Sequence, residues 1–284
     1  MSIGTSETPE LRGYAISQQL GRAERVGCGH RPEPARDTIG YPLGGCRVNR
    51  SRVIVALDTS SLKDAAALVH SLSESITSFK IGPALVVNHG LDVIARLRDA
   101  GAERIFLDLK FHDIPNTVAL AVYEAARYGV WMLTLHTSGG SAMLRAAVDA
   151  AVDAGPLERP FLVGVTVLTS LTDEILREEL GIGRSVDDHA DAMARLALSS
   201  GLDGVVCSAH EAPRIRAFVS PDFLIVCPGV RHPGAEVHDQ RRTATIGEAF
   251  EAGASYVVVG RALTASRDPV AALEQLLVTP EPSA

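Results

Sequence analysis

The chain has 284 residues, 46% of them hydrophobic and 21% charged, with a formal net charge of −7. This is a globular composition with enough apolar material for a core, and its acidic balance speaks against a nucleic-acid binder, which carries a basic face. No apolar run approaches the roughly 18 residues of a membrane span, and the four scattered cysteines, Cys28, Cys46, Cys207 and Cys227, make no disulfide framework, so a soluble, cytoplasmic protein is expected.

Residues 1–50 differ from all that follows. They are rich in Gly, Pro, Ser and Arg, lack apolar periodicity, and carry seven arginines against five acids. They hold neither the apolar stretch of a secretory signal nor the acid-poor composition of a transit peptide. A disordered N-terminal extension over 1–50 is therefore expected, followed by one catalytic domain over 51–284. Cys28, His30 and Cys46 lack the paired C-x-x-C spacing of a metal site, and no metal is expected there.

From Arg52 onward, short β-branched runs alternate with amphipathic segments. The runs are VIVALD (53–58), SFKIG (78–82), RIFLDLK (104–110), WMLTLHT (131–137), FLVGVTVL (161–168), GVVCS (204–208), FLIVCPGV (223–230) and YVVVGR (256–261). The segments between them read as helices, for example PALVVNHGLDVIARLRDAG, closed by Gly101. Near-continuous apolar strands separated by helices mean a parallel sheet covered on both faces. Eight such strands predict an α/β fold, a single (β/α)8 TIM barrel. A doubly wound open sheet is the rival, but no G-x-G-x-x-G follows the first strand. Both architectures bind ligands at the carboxyl ends of their strands.

Those ends carry charge. Of 27 lysines and arginines only three are lysine: Lys63, Lys80 and Lys110. A chain that uses arginine for surface charge keeps lysine where a compact, desolvatable ammonium is needed. Strand one ends in Asp58, strand two carries Lys80, and strand three ends in Asp108 and Lys110, with Asp113 in the loop beyond. Residues two apart in a strand share a face, so Asp108 and Lys110 are expected side by side, with Asp58 and Lys80 brought in by neighbouring strands. As scaffolding such a cluster contributes little, because desolvation offsets attraction; catalysis is the better reading. Strands seven and eight end in Gly229 with Arg231 and in Gly260 with Arg261, and Gln240, Arg241 and Arg242 lie on the loop between them. Glycines permit close backbone approach and arginine forks match phosphate oxygens, at the loops where barrels often hold phosphate. A small phosphate ester is the expected substrate. His112 and His136 are read as loop and packing residues.

The motifs FLDLKFHDIPNT, VTVLTS, GLDGVVCSA, PGVR with DQRR, and VVVGRALTAS together resemble the orotidine 5′-phosphate decarboxylase family in its bacterial form, over about residues 52 to 277. The resemblance implies conversion of orotidine 5′-monophosphate to UMP and CO2, without metal or organic cofactor. It implies that Lys110 is the proton donor and that Asp108 faces the substrate carboxylate. It implies further that Lys80 and Asp113 complete the charged network and that Asp58 and Lys80 hold the ribose hydroxyls. Thr169 and Ser170 resemble the pyrimidine-binding turn; Arg231, Gln240, Gly260 and Arg261 resemble the phosphate grip. Asp113 and Thr117 would reach into a partner's site, which implies a homodimer with shared active sites. One alternative is a metal-dependent sugar-phosphate decarboxylase or aldolase of the same superfamily, such as 3-keto-L-gulonate 6-phosphate decarboxylase, which places a magnesium-binding glutamate where this chain has Lys80. Another is a non-catalytic phosphate-binding barrel, which would have no need of Lys110 with both aspartates.

Overall fold

Valine and isoleucine dominate the apolar runs because branched side chains fit a pleated, buried surface. In the computed structural model, which describes residues 49–156, 159–230, 244–264 and 266–277, the runs form eight strands. These are β1 Val53–Leu57, β2 Ser78–Ile81, β3 Arg104–Phe111, β4 Met132–His136, β5 Phe161–Val165, β6 Gly204–Val206, β7 Leu224–Cys227 and β8 Tyr256–Val259. All pair in parallel and in chain order, and β1 closes on β8 to complete a barrel. The expected (β/α)8 architecture is the observed one. Nearly all of the expected extension, including Cys28, His30 and Cys46, lies outside the described residues.

The period-two alternation of each strand divides the core into two layers. Ile54, Ala56, Phe106, Met132, Val163, Val226 and Val258 pack together inside the barrel. The alternate positions, such as Val53, Val55 and Leu57 on β1, face the helices and join a larger apolar layer. Below the inner layer Trp131 meets Phe161 and Tyr256 edge-on, with ring centroids 6.2 and 5.2 Å apart. Above it the inward positions turn polar: Asp58 follows Ala56, Lys80 follows Ser78, Asp108 follows Phe106 and Thr134 follows Met132. The site is thus the top layer of the same alternation that builds the core.

The segment after β2 departs from the single helix expected over 83–101. It forms two helices, Pro83–His89 and Val93–Asp99. Gly90 divides them at φ 67°, a conformation that glycine enters without the steric penalty of a side chain. The spacing of the apolar residues survives the break, which is why the pattern reads as continuous.

Strand β6 starts at a glycine for a packing reason. A Cβ at Gly204 would stand 2.3 Å from the carbonyl oxygen of Leu224 on β7, so any side chain there forces the two strands apart. Gly204→Ala is expected to lower unfolding free energy by about 1–3 kcal/mol through overpacking, read from the urea midpoint. A wild-type midpoint would show that β6 and β7 yield there at no cost.

Candidate active site

Strands β1, β2 and β3 are held in register so that Ala56 pairs with Lys80, and Lys80 with Phe106. The polar residues above them therefore meet at one mouth of the barrel. Lys80 Nζ lies 3.4 Å from Asp58 Oδ1 and 3.2 Å from Asp108 Oδ2, and Lys110 Nζ lies 2.9 Å from Asp108 Oδ1. The charges alternate without a break: Asp58, Lys80, Asp108, Lys110. Burial grades along the chain. The side chains of Lys80 and Asp108 are each 12% exposed, that of Lys110 35% and that of Asp58 49%.

The buried members stay charged because they answer each other. Burial pushes the Asp108 carboxyl up, but the ammonium groups of Lys80 and Lys110 outweigh it and hold its pKa below the ordinary 3.8. Burial likewise pulls Lys80 down, and Asp108 and Asp58 outweigh that pull, leaving its pKa above the ordinary 10.5.

The end of β3 is not a regular strand. Phe106 and Leu107 pair with Met132 and Leu133, but the next pairing on β4 is Phe111 with Leu135, so β3 carries extra residues in a bulge. Lys110 sits there at φ 51°, the one non-glycine residue with positive φ among the described residues. For an L-residue this conformation costs about 1–2 kcal/mol. The expectation that plain alternation sets Asp108 beside Lys110 is corrected here: they meet through a bulge. Thr134 on β4 ties it down. Its Oγ1 accepts from Lys110 N at 2.8 Å and donates to Asp108 Oδ1 at 3.0 Å, so one hydroxyl fixes both backbone and carboxylate. Thr134 was not among the expected site residues; its signal is an inward-facing threonine within an otherwise apolar run.

Asp113 stands apart from the ion chain. It is exposed, its Oδ1 accepts from Ile114 N at 2.6 Å, and it joins no ion pair among the described residues. Thr117 is exposed in the first turn of the helix Pro115–Arg127. Thr169 and Ser170 follow β5 in a turn, the first half-buried and the second exposed. Gly260 follows β8, and a Cβ there would stand 3.0 Å from Asp58 Oδ2, so its bare backbone lies against the first carboxylate of the chain. Arg261 opens the short helix Arg261–Thr264 and is exposed. Arg231 and Gln240, with Arg241 and Arg242, lie outside the described residues. Among the described residues no three His, Cys, Asp or Glu side chains gather as a metal site. The arrangement offers an ammonium on a strained backbone, flanked by carboxylate, beside a glycine–arginine corner able to take phosphate.

Comparison with known proteins places these residues in context. Residues 51–276 match the family described as "Orotidine 5'-phosphate decarboxylase / HUMPS family". A protein named orotidine 5′-phosphate decarboxylase from Dichelobacter nodosus is 45% identical over 232 residues, covering 82% of this chain and 100% of that one. One of the same name from Sodalis glossinidius is 46% identical over 232 residues, covering 82% and 91%. Among solved structures, orotidine 5′-phosphate decarboxylase from Lactobacillus acidophilus matches with a TM-score of 0.70 at 38% identity, covering 80% of this chain and 97% of its own. An uncharacterized conserved protein from Geobacillus kaustophilus matches with a TM-score of 0.69 at 36% identity, covering 79% and 97%.

The role of Thr134 can be measured directly. Thr134→Val keeps the shape and removes the hydroxyl, leaving a backbone donor and a buried carboxylate oxygen each short of a partner. Unfolding free energy is expected to fall by about 1–3 kcal/mol in denaturant titration. Wild-type stability in that variant would show that the bulge holds without the hydroxyl.

Proposed function

The chain belongs to the orotidine 5′-phosphate decarboxylase / HUMPS family, and from that premise we propose how its residues convert orotidine 5′-monophosphate to UMP and CO2, the closing step of de novo pyrimidine synthesis. The observation that carries this reading is the unbroken chain Asp58–Lys80–Asp108–Lys110 at the barrel mouth. When the bond from C6 of the pyrimidine to its carboxylate breaks, the electron pair stays on a ring carbon with no electron sink. The Lys110 ammonium stabilises that developing charge and then transfers one N–H proton to C6 as CO2 departs. Asp108, held ionised by two lysines, faces the substrate carboxylate, and their repulsion is relieved as the carboxylate becomes neutral CO2.

Binding is assigned to the rest of the mouth. Asp58 and Lys80 hold the ribose hydroxyls, and Thr169 and Ser170 the pyrimidine. Arg231, Gln240, Gly260 and Arg261 grip the phosphate, whose distance from C6 lets binding energy be spent on the transition state. Lys80 also weighs against the metal-dependent alternative. Its ammonium lies between Asp58 and Asp108, where a divalent cation would have to compete with a fixed positive charge for the same carboxylates.

The working form in this reading is a cytoplasmic homodimer in which Asp113 and Thr117 complete the neighbouring protomer's site. Its support is that Asp113 is exposed and joins no ion pair of its own protomer among the described residues. The adjoining surface also carries Ile114 at 67% exposure and Leu120 at 54%, apolar area suited to burial against a second copy. Cys207 and Cys227, both buried free thiols, suit a reducing compartment.

Two measurements test these assignments. The loss of absorbance of orotidine 5′-monophosphate is expected to proceed at the same rate in excess EDTA; an absolute requirement for added magnesium would overturn the mechanism. Lys110→Ala and Asp113→Ala are each expected to lose on the order of 100-fold or more in kcat. Mixed and re-equilibrated, they should regain activity, because one site of each heterodimer then holds both native side chains. Verified heterodimers with no recovered activity would refute the shared site.

A further inference from the structure

Strands β3 and β4 meet a second time beyond the Asp108–Thr134 contact. The His112 ring, two residues past Lys110, has its centroid 5.3 Å from that of His136 at the end of β4, tilted by 41°. The backbone of Gly139, in the single turn Thr137–Gly139 that follows β4, closes on the same ring. A Cβ at Gly139 would stand 3.2 Å from His112 Cδ2 and 2.2 Å from Met143 Sδ. His112 thus lies against both His136 and Gly139, and a side chain at position 139 would disturb the arrangement.

This contact bears on the strained residue of the site. Lys110 keeps φ 51°, and a non-glycine residue stays in that region only where its surroundings over-determine it. On the near side Thr134 takes its N–H. On the far side the backbone is held by the pairing of Phe111 with Leu135 and then by the ring contact. We propose that the His112–His136 contact is a latch that closes the far side of the bulge and so positions Lys110 for proton delivery. The proposal rests on the decarboxylase reading given above. Neither imidazole lies within hydrogen-bond reach of Asp108 or Lys110; both are positioning residues.

The latch has a charge condition. The groups bearing on the His136 ring among the described residues are His112, Lys110 and Asp108, all on β3 or its exit. Burial lowers the pKa of His136 first, then His112 and the Lys110 ammonium lower it further, against the opposing pull of Asp108. The neutral ring therefore predominates at and above its ordinary value of 6.5. A proton on it in acid sets a positive charge against both His112 and the Lys110 ammonium, which opens the latch. Activity should fall on the acid side as His136 gains that proton.

The test is kcat at saturating orotidine 5′-monophosphate across about pH 5 to 8, where imidazole changes charge. It compares wild type with His136→Ala, His136→Phe, His112→Ala and His112→Phe. The alanine variants lose the ring and are expected to lower kcat roughly ten- to a hundredfold, as small misplacements of a catalytic group do, with KM for the nucleotide nearly unchanged. The phenylalanine variants restore a ring and should recover most of that loss. In His136→Phe the acid-side decline should also move to lower pH. Titration of the substrate phosphate is common to every profile and cancels in the comparison. Wild-type kcat in both alanine variants, or a His136→Phe profile superimposable on wild type, would overturn the latch. His112 is exposed, so its two variants keep the test decisive should changes at His136 prevent folding. An inactive wild-type protein would instead sink the decarboxylase reading, so the two failures are distinct.

Discussion

Asp108 divides its carboxylate between two lysines, and the rest of the site depends on that division. Oδ2 faces Lys80 at 3.2 Å; Oδ1 takes Lys110 at 2.9 Å and the Thr134 hydroxyl at 3.0 Å. Desolvation favours the neutral acid in a carboxylate this deeply buried, and the two ammonium groups together outweigh it. Lys80 is buried in its turn, and Asp108, joined by Asp58 at the open end, outweighs the pull of burial on its charge. The alternation therefore has an electrostatic order: the two innermost groups, Lys80 and Asp108, sustain each other first, and the more exposed Asp58 and Lys110 add to that. Removing one member of such a buried pair costs on the order of 3–5 kcal/mol. An exposed pair such as Arg127 with Glu124 contributes about 0–1 kcal/mol.

Positioning these groups falls to the barrel. Parallel pairing sets the relative height of Asp58, Lys80 and Asp108, and the inner apolar layer beneath them prevents a slip, since a one-residue shift would turn Phe106 outward and a neighbour inward. Asp108, Leu109 and Lys110 lie between the paired residues Leu107 and Phe111, and of these Lys110 takes the positive φ. Its bulge trades strain for placement: the backbone leaves the favourable region by about 1–2 kcal/mol, and the bond that Thr134 accepts from Lys110 N–H works against that cost. Strain of this kind is common where a side chain must be aimed rather than packed.

The parts legible in the sequence are those with short-range causes. Eight strands follow from β-branched runs, and the inward placement of Asp58, Lys80 and Asp108 from counting by twos. Gly260 reads from its place at a strand end, and the structure adds that its bare backbone abuts Asp58. What escapes has long-range causes. Nothing near Lys110 marks the bulge, because it is defined by which residue of β4 faces Phe111. Thr134 escapes for the same reason: its role lies in a partner 24 residues away. The break at Gly90 is hidden because apolar spacing continues across it. The contact between His112 and His136 spans β3 and β4 and has no local sign.

The compactness of the Asp108–Asp113 motif then has a physical explanation. Four consecutive residues leave β3 in four directions. Lys110 turns to Asp108 in its own barrel; Phe111 rejoins β4; His112 lies on His136; Asp113 faces outward. A regular strand offers only two directions, alternating, and a free loop would fix none of them. The bulge supplies the extra directions, and the re-pairing at Phe111 keeps them rigid. On the shared-site reading, the same rigidity sets Asp113 relative to Lys110, so that a second protomer docking on the exposed Ile114 surface meets a carboxylate already in place. A longer insertion between Lys110 and Asp113 would loosen both assignments together. On that reading the spacing answers to geometry on both sides of the protomer, beyond the chemistry of the reaction itself.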